Sequence, residues 1–391
     1  MPSGPGLDRP VVAQAPRGAW GRLRGGGGIW ARSDWGLVVA ALGLSLVGAL
    51  LVWSATRRVS GNAYLYRHLF NTAVGVGLAG LVTRTGHQLL RALAPLLYLL
   101  SVGGLLLVLT PVGSTVNGSH SWILLPGGFS VQPSELAKAA LCLGLAIILG
   151  ERLDRGAQPD ARDLGLAVVV AALPVGLVML QPDLGSALVL GALAFGVLAV
   201  AGTPKRWLAA GLALVAAAVV LALTTPVLSQ YQRDRLTAFV DPQADPQGIG
   251  YQTRQVRLAI GSGGWDGAGL FHGTQTQGGF IPYQQTDFVF SVAGEELGFI
   301  GAAGLLLLLG FLVLRAVVVA VRAPDAFGRL MAVGVAAWLL FQTFENVGMN
   351  LGITPVTGLP LPFLSYGGSS MFACWLGIGL VNNAHLSGQH R

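Results

Sequence analysis

The side chains of this sequence that can do chemistry are charged and polar groups placed within or beside long apolar runs. Glu135 and Lys138 lie in Gln132-Pro-Ser-Glu-Leu-Ala-Lys138. Their spacing of three puts both on one face of a helix, where they can pair. A charge at the centre of a membrane span costs about 2.5–3.5 kcal/mol, so it needs a partner or a wet cavity. The pair is either a structural ion pair that holds helices together or part of a substrate site, and both interpretations stay open.

Two aspartates stand at the ends of apolar runs. Asp183 lies in Gln181-Pro-Asp-Leu-Gly185 and Asp287 lies in Gln284-Gln-Thr-Asp-Phe288. An aspartate at a helix start is a routine N-cap, and capping explains either residue. The functional alternative for Asp287 is a general base whose carboxylate faces a cavity near the headgroup level of the membrane.

Further polar groups lie close to these residues in the chain. The segment 354–370 is rich in proline, glycine and hydroxyls, and it includes Ser365 and Ser369. Irregular backbone of this kind is tolerated where it lines a cavity, and its N–H groups and hydroxyls can bind an anion such as phosphate. The alternative is a broken helix start. For Glu295, Glu296, Glu345 and Asn346 we expect hydrogen bonds to arginine or backbone that hold helices together.

Composition identifies the elements that must position these residues. Of 391 residues, 53% are hydrophobic and 10% are charged, whereas soluble domains carry roughly 25% charged residues. This excludes an ordinary soluble domain, a disordered chain and a fibrous protein. The net charge of +7 does not indicate nucleic-acid binding, because the arginines lie at span ends. The pattern predicts an all-α polytopic membrane protein of ten helices.

Each span needs about 20 mostly apolar residues, and ten such runs occur. A basic segment, residues 1–33, precedes them and is expected to be a disordered cytoplasmic tail; residues 34–391 form the membrane domain. With the N-terminus inside, 16 lysines and arginines fall on the cytoplasmic side and 7 outside, which favours two cytoplasmic termini. The predicted spans are 35–55, 66–83, 88–110, 133–150, 164–181, 185–202, 207–226, 286–314, 329–350 and 362–384.

A long extracytoplasmic loop, residues 227–285, is predicted between the seventh and eighth spans. Long structured loops are where function collects. Residues 251–260 are expected to form a short helix stopped by the glycines at 261–264. Arg254 and Arg257, three residues apart, share one face of that helix. Histidines and cysteines show no metal-ligand spacing, and the signatures of nucleotide hydrolases, zinc proteases and triad hydrolases are absent from the sequence.

Seven motifs in order resemble the SEDS family, which includes RodA and FtsW. The resemblance covers about residues 35–385, and its motifs resemble RodA more than FtsW at His272-Gly-Thr-Gln275 and Gly358-Leu-Pro-Leu-Pro362. One departure is Gln285, where many relatives carry histidine, so a His–Asp proton relay is not expected. The other motifs are Gln132 to Lys138, Gln181 to Gly185, Ile260 to Gly264, Thr286 to Phe288, Gly294 to Gly298 and Pro360 to Gly368.

The resemblance implies a peptidoglycan glycosyltransferase of the bacterial cytoplasmic membrane, active in cell elongation. Such an enzyme polymerises lipid II, an undecaprenyl-pyrophosphate-linked disaccharide-pentapeptide, on the outer membrane face. Its implied partner is a class B penicillin-binding protein, which crosslinks the product. The family's essential aspartate corresponds to Asp287, its Glu–Lys pair to Glu135 and Lys138, its second aspartate to Asp183, and an arginine near span two to Arg67.

The implied reaction inverts the sugar linkage in one displacement, so one base is expected, and Asp287 is the predicted base. The departing diphosphate needs positive charge. The predicted sources are Arg67, Arg254, Arg257, Lys138 or a divalent cation, either Mg²⁺ or Mn²⁺. Ser365 and Ser369 are expected to let the chain approach the substrate.

Two other functions compete with this prediction. Ten spans with internal charges also fit a lipid II flippase or other transporter. That function predicts paired broken helices in two corresponding halves of the chain. The sequence shows one such break, near 355–368. A non-catalytic scaffold for a partner's helix is the third possibility, but a scaffold does not need a long loop with paired arginines.

Overall fold

A computed structural model describes residues 32–116, 118–125, 129–224, 230–241 and 248–388. The predicted N-terminal tail therefore lies outside the described residues, except for Arg32 and Ser33. Each of the ten predicted spans coincides with a helix of at least 17 residues. Five of these helices are long and apolar enough to cross a membrane by themselves: Trp35–Ser60, His87–Val108, Ala161–Leu180, Val289–Arg322 and Ala326–Leu351. The count of ten membrane spans stays a prediction.

The described elements follow one another as thirteen helices and three short strands. In chain order they are α1 (Trp35–Ser60), α2 (Ala63–Arg84), α3 (His87–Val108), β1 (Ser114–Val116), β2 (Ser119–Leu125), β3 (Phe129–Val131), α4 (Pro133–Asp154), α5 (Ala161–Leu180), α6 (Leu184–Val200), α7 (Lys205–Thr224), α8 (Gln230–Val240), α9 (Ile249–Ser262), α10 (Thr274–Gly278), α11 (Val289–Arg322), α12 (Ala326–Leu351) and α13 (Gly368–Ser387).

Several helix starts follow from local sequence. Asp34 and Asp325 begin α1 and α12 by accepting a main-chain N–H from the first turn. Asp160 begins α5 with a reciprocal capping box that includes Asp163. Pro133 occupies the first turn of α4, where its missing N–H costs nothing.

The centre of the bundle is formed by α4 and α12, which pack against each other and against α13. Small residues allow the close approach. A Cβ on Gly75 of α2 would lie 2.6 Å from the Trp375 ring of α13, and a Cβ on Gly379 would lie 2.8 Å from the Ala79 carbonyl oxygen. Van der Waals packing of this kind drives helix association in a membrane.

A three-stranded antiparallel sheet lies between α3 and α4, and the sequence analysis did not predict it. Its strand order is β1-β2-β3, with Ser114 opposite Trp122 and Ile123 opposite Val131. Ser119 of β2 donates to the carbonyl of Gln181 at 2.8 Å. This bond fixes the sheet to the turn between α5 and α6.

The predicted loop 227–285 corresponds to the segment between α7 and α11, which carries α8, α9 and α10. The short helix predicted at 251–260 is confirmed as α9, with Gly263 as its C-cap. The predicted extracytoplasmic position of the segment stays a prediction.

Helix α11 is interrupted at Gly298, a break that the sequence analysis missed. Gly298 adopts φ +65°, ψ −168°, and the loop 263–269 enters the gap. The N–H groups of Ala268 and Gly269 donate to the carbonyls of Glu295 and Glu296 at 2.9 and 3.0 Å. The loop thus satisfies the carbonyls that the interrupted helix leaves open, as buried backbone requires.

Substitution of Gly298 by alanine is expected to destabilise the protein. The new Cβ would lie 2.3 Å from the Gly267 nitrogen and 2.5 Å from the Trp265 oxygen, at a positive φ, so backbone must shift, at a cost of more than about 1–3 kcal/mol. Gly310→Ala in the same helix is the control, because its Cβ meets nothing within 4 Å and alanine favours helix. Thermal midpoints in detergent should fall for Gly298→Ala only; equal midpoints would contradict the role assigned to the break.

Candidate functional site

Asp287 lies two residues before α11 and lines two neighbouring cavities. Arg235 of α8 lines both of them as well. The first cavity has a volume of about 200 Å³ and the second about 140 Å³. The remaining lining of the first cavity is Ile249, Gln252, Tyr283, Phe288 and Val356.

The second cavity brings together side chains that are far apart in the sequence. Asp183 at the start of α6 and Ser369 in the first turn of α13 line it with Asp287. The sheet closes one side through Trp122, and the segment before α13 closes another through Tyr366. Other polar groups that line it are Ser119, Ser121, Gln132, Thr286, Thr357 and Ser370.

Among the residues that the structure describes, Arg235 is the cation that lines the cavities, and the sequence analysis did not select it. Its Nη1 donates to the carbonyl of Thr357 at 2.7 Å. A Cβ on Gly358 would lie 3.3 Å from Arg235 Nη2 and 3.4 Å from Asp287 Oδ2. The guanidinium and the carboxylate therefore converge on a glycine with φ +76°, where a side chain would be both strained and obstructive.

The environment makes the Asp287 carboxylate a better base than an ordinary aspartate. Burial raises its pKa from the usual value near 3.8 to about 6, although the nearby Arg235 charge opposes this shift. Loss of hydration disfavours the charged form, and an opposite charge favours it. The carboxylate is therefore ionised at neutral pH but retains more proton affinity than an exposed aspartate.

The backbone just before Asp287 is held by the segment that precedes α13. Tyr366 N–H donates to the Gln285 carbonyl at 2.8 Å, and Ser365 Oγ donates to the Thr286 carbonyl at 2.5 Å. Ser365 is buried and does not line either cavity. The structure therefore gives Ser365 a contact with the backbone, whereas the predicted contact with substrate stays untested.

Asp183 caps α6 and also lines the second cavity. Its Oδ1 accepts the Ser186 N–H at 3.0 Å, which caps α6. Its Oδ2 accepts from Gln132 Nε2 at 2.9 Å and faces the second cavity. Ser369 lies beside this pair, because its Oγ accepts the Gln132 N–H at 2.9 Å.

Glu135 and Lys138 are sealed within the bundle. Lys138 Nζ donates to Glu135 Oε1 at 2.7 Å, and the two side chains are 0% and 1% exposed. Lys138 also donates to Gln342 of α12 at 2.8 Å. Neither residue lines the two cavities. The structure places them as an ion pair within α4 that Lys138 connects to α12 through Gln342, and the predicted contact of either with substrate stays a prediction.

The three arginines proposed to hold the diphosphate do not line the cavities. Arg67 and Arg254 are exposed on α2 and α9. Arg257 is exposed too, but its guanidinium lies against Gly352, where a Cβ would be 1.9 Å from Nη2. Gly352 is the C-cap of α12, and a cation near the C-terminus of a helix interacts favourably with the helix dipole.

Glu295 makes the hydrogen bonds to backbone that the sequence predicts, whereas Glu296 accepts from side-chain hydroxyl and amide groups, and from no arginine or backbone group of the described residues. Glu295 accepts the N–H groups of Gln275 and Thr276 at 2.7 and 2.8 Å, which caps α10. Glu296 accepts from Ser54 of α1 at 2.6 Å. These bonds fix α10 and α1 to the part of α11 that precedes the break at Gly298.

Among the described residues, no group of three or more His, Cys, Asp or Glu side chains is arranged to hold a metal ion. Asp183 and Asp287 are the two carboxylates that line the second cavity. The dependence on Mg²⁺ or Mn²⁺ therefore stays a prediction.

Removal of one charge from the buried pair is expected to be costly. Lys138→Met leaves Glu135 buried without its partner, which costs about 3–5 kcal/mol. The double variant Glu135→Leu/Lys138→Met removes both charges and should recover much of that loss. The control is Arg155→Gln, which breaks an exposed ion pair with Glu151 on the same helix and should cost less than about 1 kcal/mol. Thermal midpoints test this order; a double variant less stable than Lys138→Met would contradict it.

Comparison with known proteins identifies the family of the chain. A family model described as "Cell cycle protein", which covers FtsW, RodA and SpoVE, matches residues 34–390. The peptidoglycan glycosyltransferase MrdB of Escherichia coli K12 is 36% identical over 349 residues, which are 89% of this chain and 92% of that protein. A probable peptidoglycan glycosyltransferase FtsW of Trichlorobacter lovleyi is 38% identical over 360 residues, 90% and 93% of the two chains.

Solved structures extend the similarity to three dimensions. The rod shape determining protein RodA of Thermus thermophilus superposes with a TM-score of 0.67 at 36% identity and covers 90% of this chain and 97% of that one. A chain from a peptidoglycan synthase complex, described for its coordination of polymerization and crosslinking, superposes with a TM-score of 0.77 at 37% identity, over 92% and 99% of the two chains. The protein is thus a multi-pass membrane protein, and it belongs to the FtsW/RodA/SpoVE family.

Proposed function

We propose that this chain polymerises lipid II into glycan strands, with Asp287 as the general base of an inverting transfer. Its relatives carry the name peptidoglycan glycosyltransferase at 36–38% identity over about nine tenths of the chain. The chain is an enzyme of that class. The residue roles, the orientation of the chain in the membrane and the RodA-like role in cell elongation are our proposals.

The observation that carries the proposal is the position of one basic carboxylate beside one cation in a shared cavity. Asp287 and Arg235 both line the two cavities, and burial raises the pKa of Asp287 to about 6. A general base works best when its pKa lies near the working pH. The guanidinium fork of arginine matches the oxygens of a phosphate group.

In the proposed reaction, Asp287 removes the proton from the 4-hydroxyl of the acceptor sugar. The hydroxyl oxygen attacks C1 of the donor sugar, a new C–O bond forms, and the bond from C1 to the diphosphate oxygen breaks. Inversion at C1 converts the α-linked diphosphate into a β-1,4 linkage. The electron pair of the broken bond leaves with the lipid diphosphate, whose charge Arg235 stabilises. Asp287 then returns its proton to water.

We propose that the second cavity holds a sugar ring. Its lining combines the Trp122 ring with hydroxyl and amide groups of Ser119, Gln132 and Ser369. An apolar ring face beside a few placed polar groups is typical of a small-molecule site. Asp183 is then a substrate-binding group as well as the N-cap of α6.

The site lies at one end of the bundle, which supports an extracytoplasmic active face. Asp183, Asp287 and Ser369 stand at or just before the starts of three helices, α6, α11 and α13. We propose that this end faces away from the cytoplasm, with both termini cytoplasmic, as the count of basic residues favours. A class B penicillin-binding protein is the proposed partner, because the similar chain cited above comes from a complex that couples polymerization to crosslinking.

A lipid II flippase is the competing function. The break at Gly298 in α11 gives this alternative a second interrupted helix, in addition to the segment before α13. That break is occupied by the backbone of loop 263–269, whereas transporter breaks expose backbone to a substrate site near the bilayer midplane. The location of Asp183 and Asp287 at helix starts favours the transferase.

Replacement of Asp287 by asparagine is expected to abolish polymerisation without loss of folding. The amide keeps the shape of the side chain but cannot accept the proton, a role worth about 10²–10⁴-fold. The control is Asp266→Asn in the exposed loop after α9, which should polymerise normally. Purified full-length protein, with and without a class B partner, is incubated with labelled lipid II and the polymer is resolved on a gel. Near-normal polymer from Asp287→Asn would refute the assignment.

The rate of polymerisation is expected to depend on pH through Asp287. The base must be ionised, so kcat should fall as pH drops below about 6, the pKa that burial gives this carboxylate. Arg235→Gln removes the charge that lowers this pKa, so the acid limb should move to higher pH. Initial rates between pH 5 and 8 test both statements. A profile that is flat across this range, or a limb that does not move in Arg235→Gln, would contradict them.

A further inference from the structure

One face of α12 carries three side-chain amides that hold the walls of the cavities. Gln342, Asn346 and Asn350 are spaced four residues apart, so they lie above one another on the helix. All three are fully buried, with 0% exposure. Each donates an N–H to the main-chain carbonyl of an irregular segment at the site, and we refer to the three residues as the amide ladder.

Asn346 and Asn350, the two members of the amide ladder nearest the C-terminus of α12, bind the backbone of Asp287 itself. Asn346 Nδ2 donates to the Asp287 carbonyl at 2.9 Å and to the Leu359 carbonyl at 2.7 Å. Asn350 Nδ2 donates to the same Asp287 carbonyl at 3.2 Å. One amide therefore joins the segment before α11 to the segment before α13.

The third member, Gln342, connects the buried Glu135–Lys138 pair to the segment before α13. Its Oε1 accepts from Lys138 Nζ at 2.8 Å and from Trp338 Nε1 at 2.6 Å. Neither donor can act as an acceptor, so the amide oxygen must face them. The Nε2 group consequently faces the Pro360 carbonyl, to which it donates at 2.8 Å.

We propose that Asn346 and Asn350 are positioning residues for the Asp287 carboxylate. Lys138 and Glu135 act through Gln342 on the segment before α13, which lines the other side of the second cavity. The inference rests on the proposed function of Asp287. A rigid helix holds the amides, the amides hold the carbonyl of residue 287, and the attached carboxylate keeps one location relative to Arg235. Loss of about 1 Å in the placement of a catalytic group can cost about 10²-fold in rate.

The test compares alanine variants of the amide ladder with a matched buried amide elsewhere. Asn383 of α13 donates to the carbonyls of Val82 and Thr85 at 3.1 and 2.6 Å, between α2 and α3 and away from the cavities. Full-length Asn346→Ala, Asn350→Ala and Asn383→Ala are reconstituted in vesicles with the class B partner and assayed with labelled lipid II. Rates are expressed per folded protein, as measured by size-exclusion chromatography.

The expected result separates positioning from folding. In Asn346→Ala kcat should fall by about 10²-fold, while KM should change by less than about threefold, because the substrate contacts remain. Asn350→Ala removes the longer bond to Asp287 and should lower kcat by a smaller factor, about tenfold. Asn383→Ala should lower the thermal midpoint and leave kcat unchanged.

The pH profile provides a readout that a purely structural role would not move. Among the described residues, the charged and titratable groups that line the cavities with Asp287 are Arg235 on α8, Asp183 before α6, Tyr283 before α11 and Tyr366 before α13. Glu345 on α12 bonds to Thr357, which lines the second cavity. None is changed in the variants. A carboxylate released from its buried position gains hydration, so the acid limb should move below pH 6 in Asn346→Ala. A structural defect would instead lower the rate by one factor at every pH.

The outcomes distinguish this inference from the function on which it rests. If Asp287→Asn is inactive but Asn346→Ala and Asn350→Ala keep the normal kcat and acid limb, the positioning role is wrong and the base assignment stands. If Asp287→Asn polymerises normally, the proposed function fails first. Should Asn346→Ala not fold, Asn350→Ala decides alone: a reduced kcat with unchanged KM supports the inference, and a normal kcat overturns it.

Discussion

Hydrogen bonding of irregular backbone within an apolar helical bundle is the constraint on which this structure depends. Lipid and packed apolar side chains offer no partner to an open carbonyl, so such segments persist only where other protein groups supply one. The carbonyls of Gln285, Thr286 and Asp287 accept, respectively, from a main-chain N–H, a serine hydroxyl and two asparagine amides. The polar groups near the cavities therefore include several that hold backbone and do not line the cavities.

The segment before α13 obeys the same constraint from the opposite side of the cavities. The carbonyls of Thr357, Leu359 and Pro360 accept from Arg235, Asn346 and Gln342. The break in α11 at Gly298 is likewise filled by donors from a loop. Three irregular segments are thus tolerated because each one is matched to a fixed set of donors, and the segments before α11 and before α13 line the cavities beside Asp287.

Much of the fold could be predicted, because apolar runs of sufficient length become helices whatever surrounds them. The sequence placed Asp183 and Asp287 at the ends of apolar runs and Ser369 in a Pro/Gly-rich segment expected to line a cavity, and the structure brings all three to one cavity. By contrast, the partners of buried carbonyls depend on which segments meet in three dimensions. Asn346 was recognised as a polar group that joins helices, but its acceptor, the Asp287 carbonyl, was not accessible from sequence. Nothing in the local pattern distinguished Arg235 from Arg254 and Arg257, which do not line either cavity.

The central claim is that one carboxylate, fixed through its own backbone, receives the proton of a sugar hydroxyl beside the Arg235 guanidinium. The most direct measurement is an electron cryomicroscopy structure of the full-length Asp287→Asn variant in a lipid nanodisc with lipid II bound. The claim predicts that the acceptor hydroxyl oxygen lies within about 3.2 Å of the side chain at position 287, with the diphosphate against Arg235. A head group bound with its reacting sugar carbons outside both cavities would contradict it.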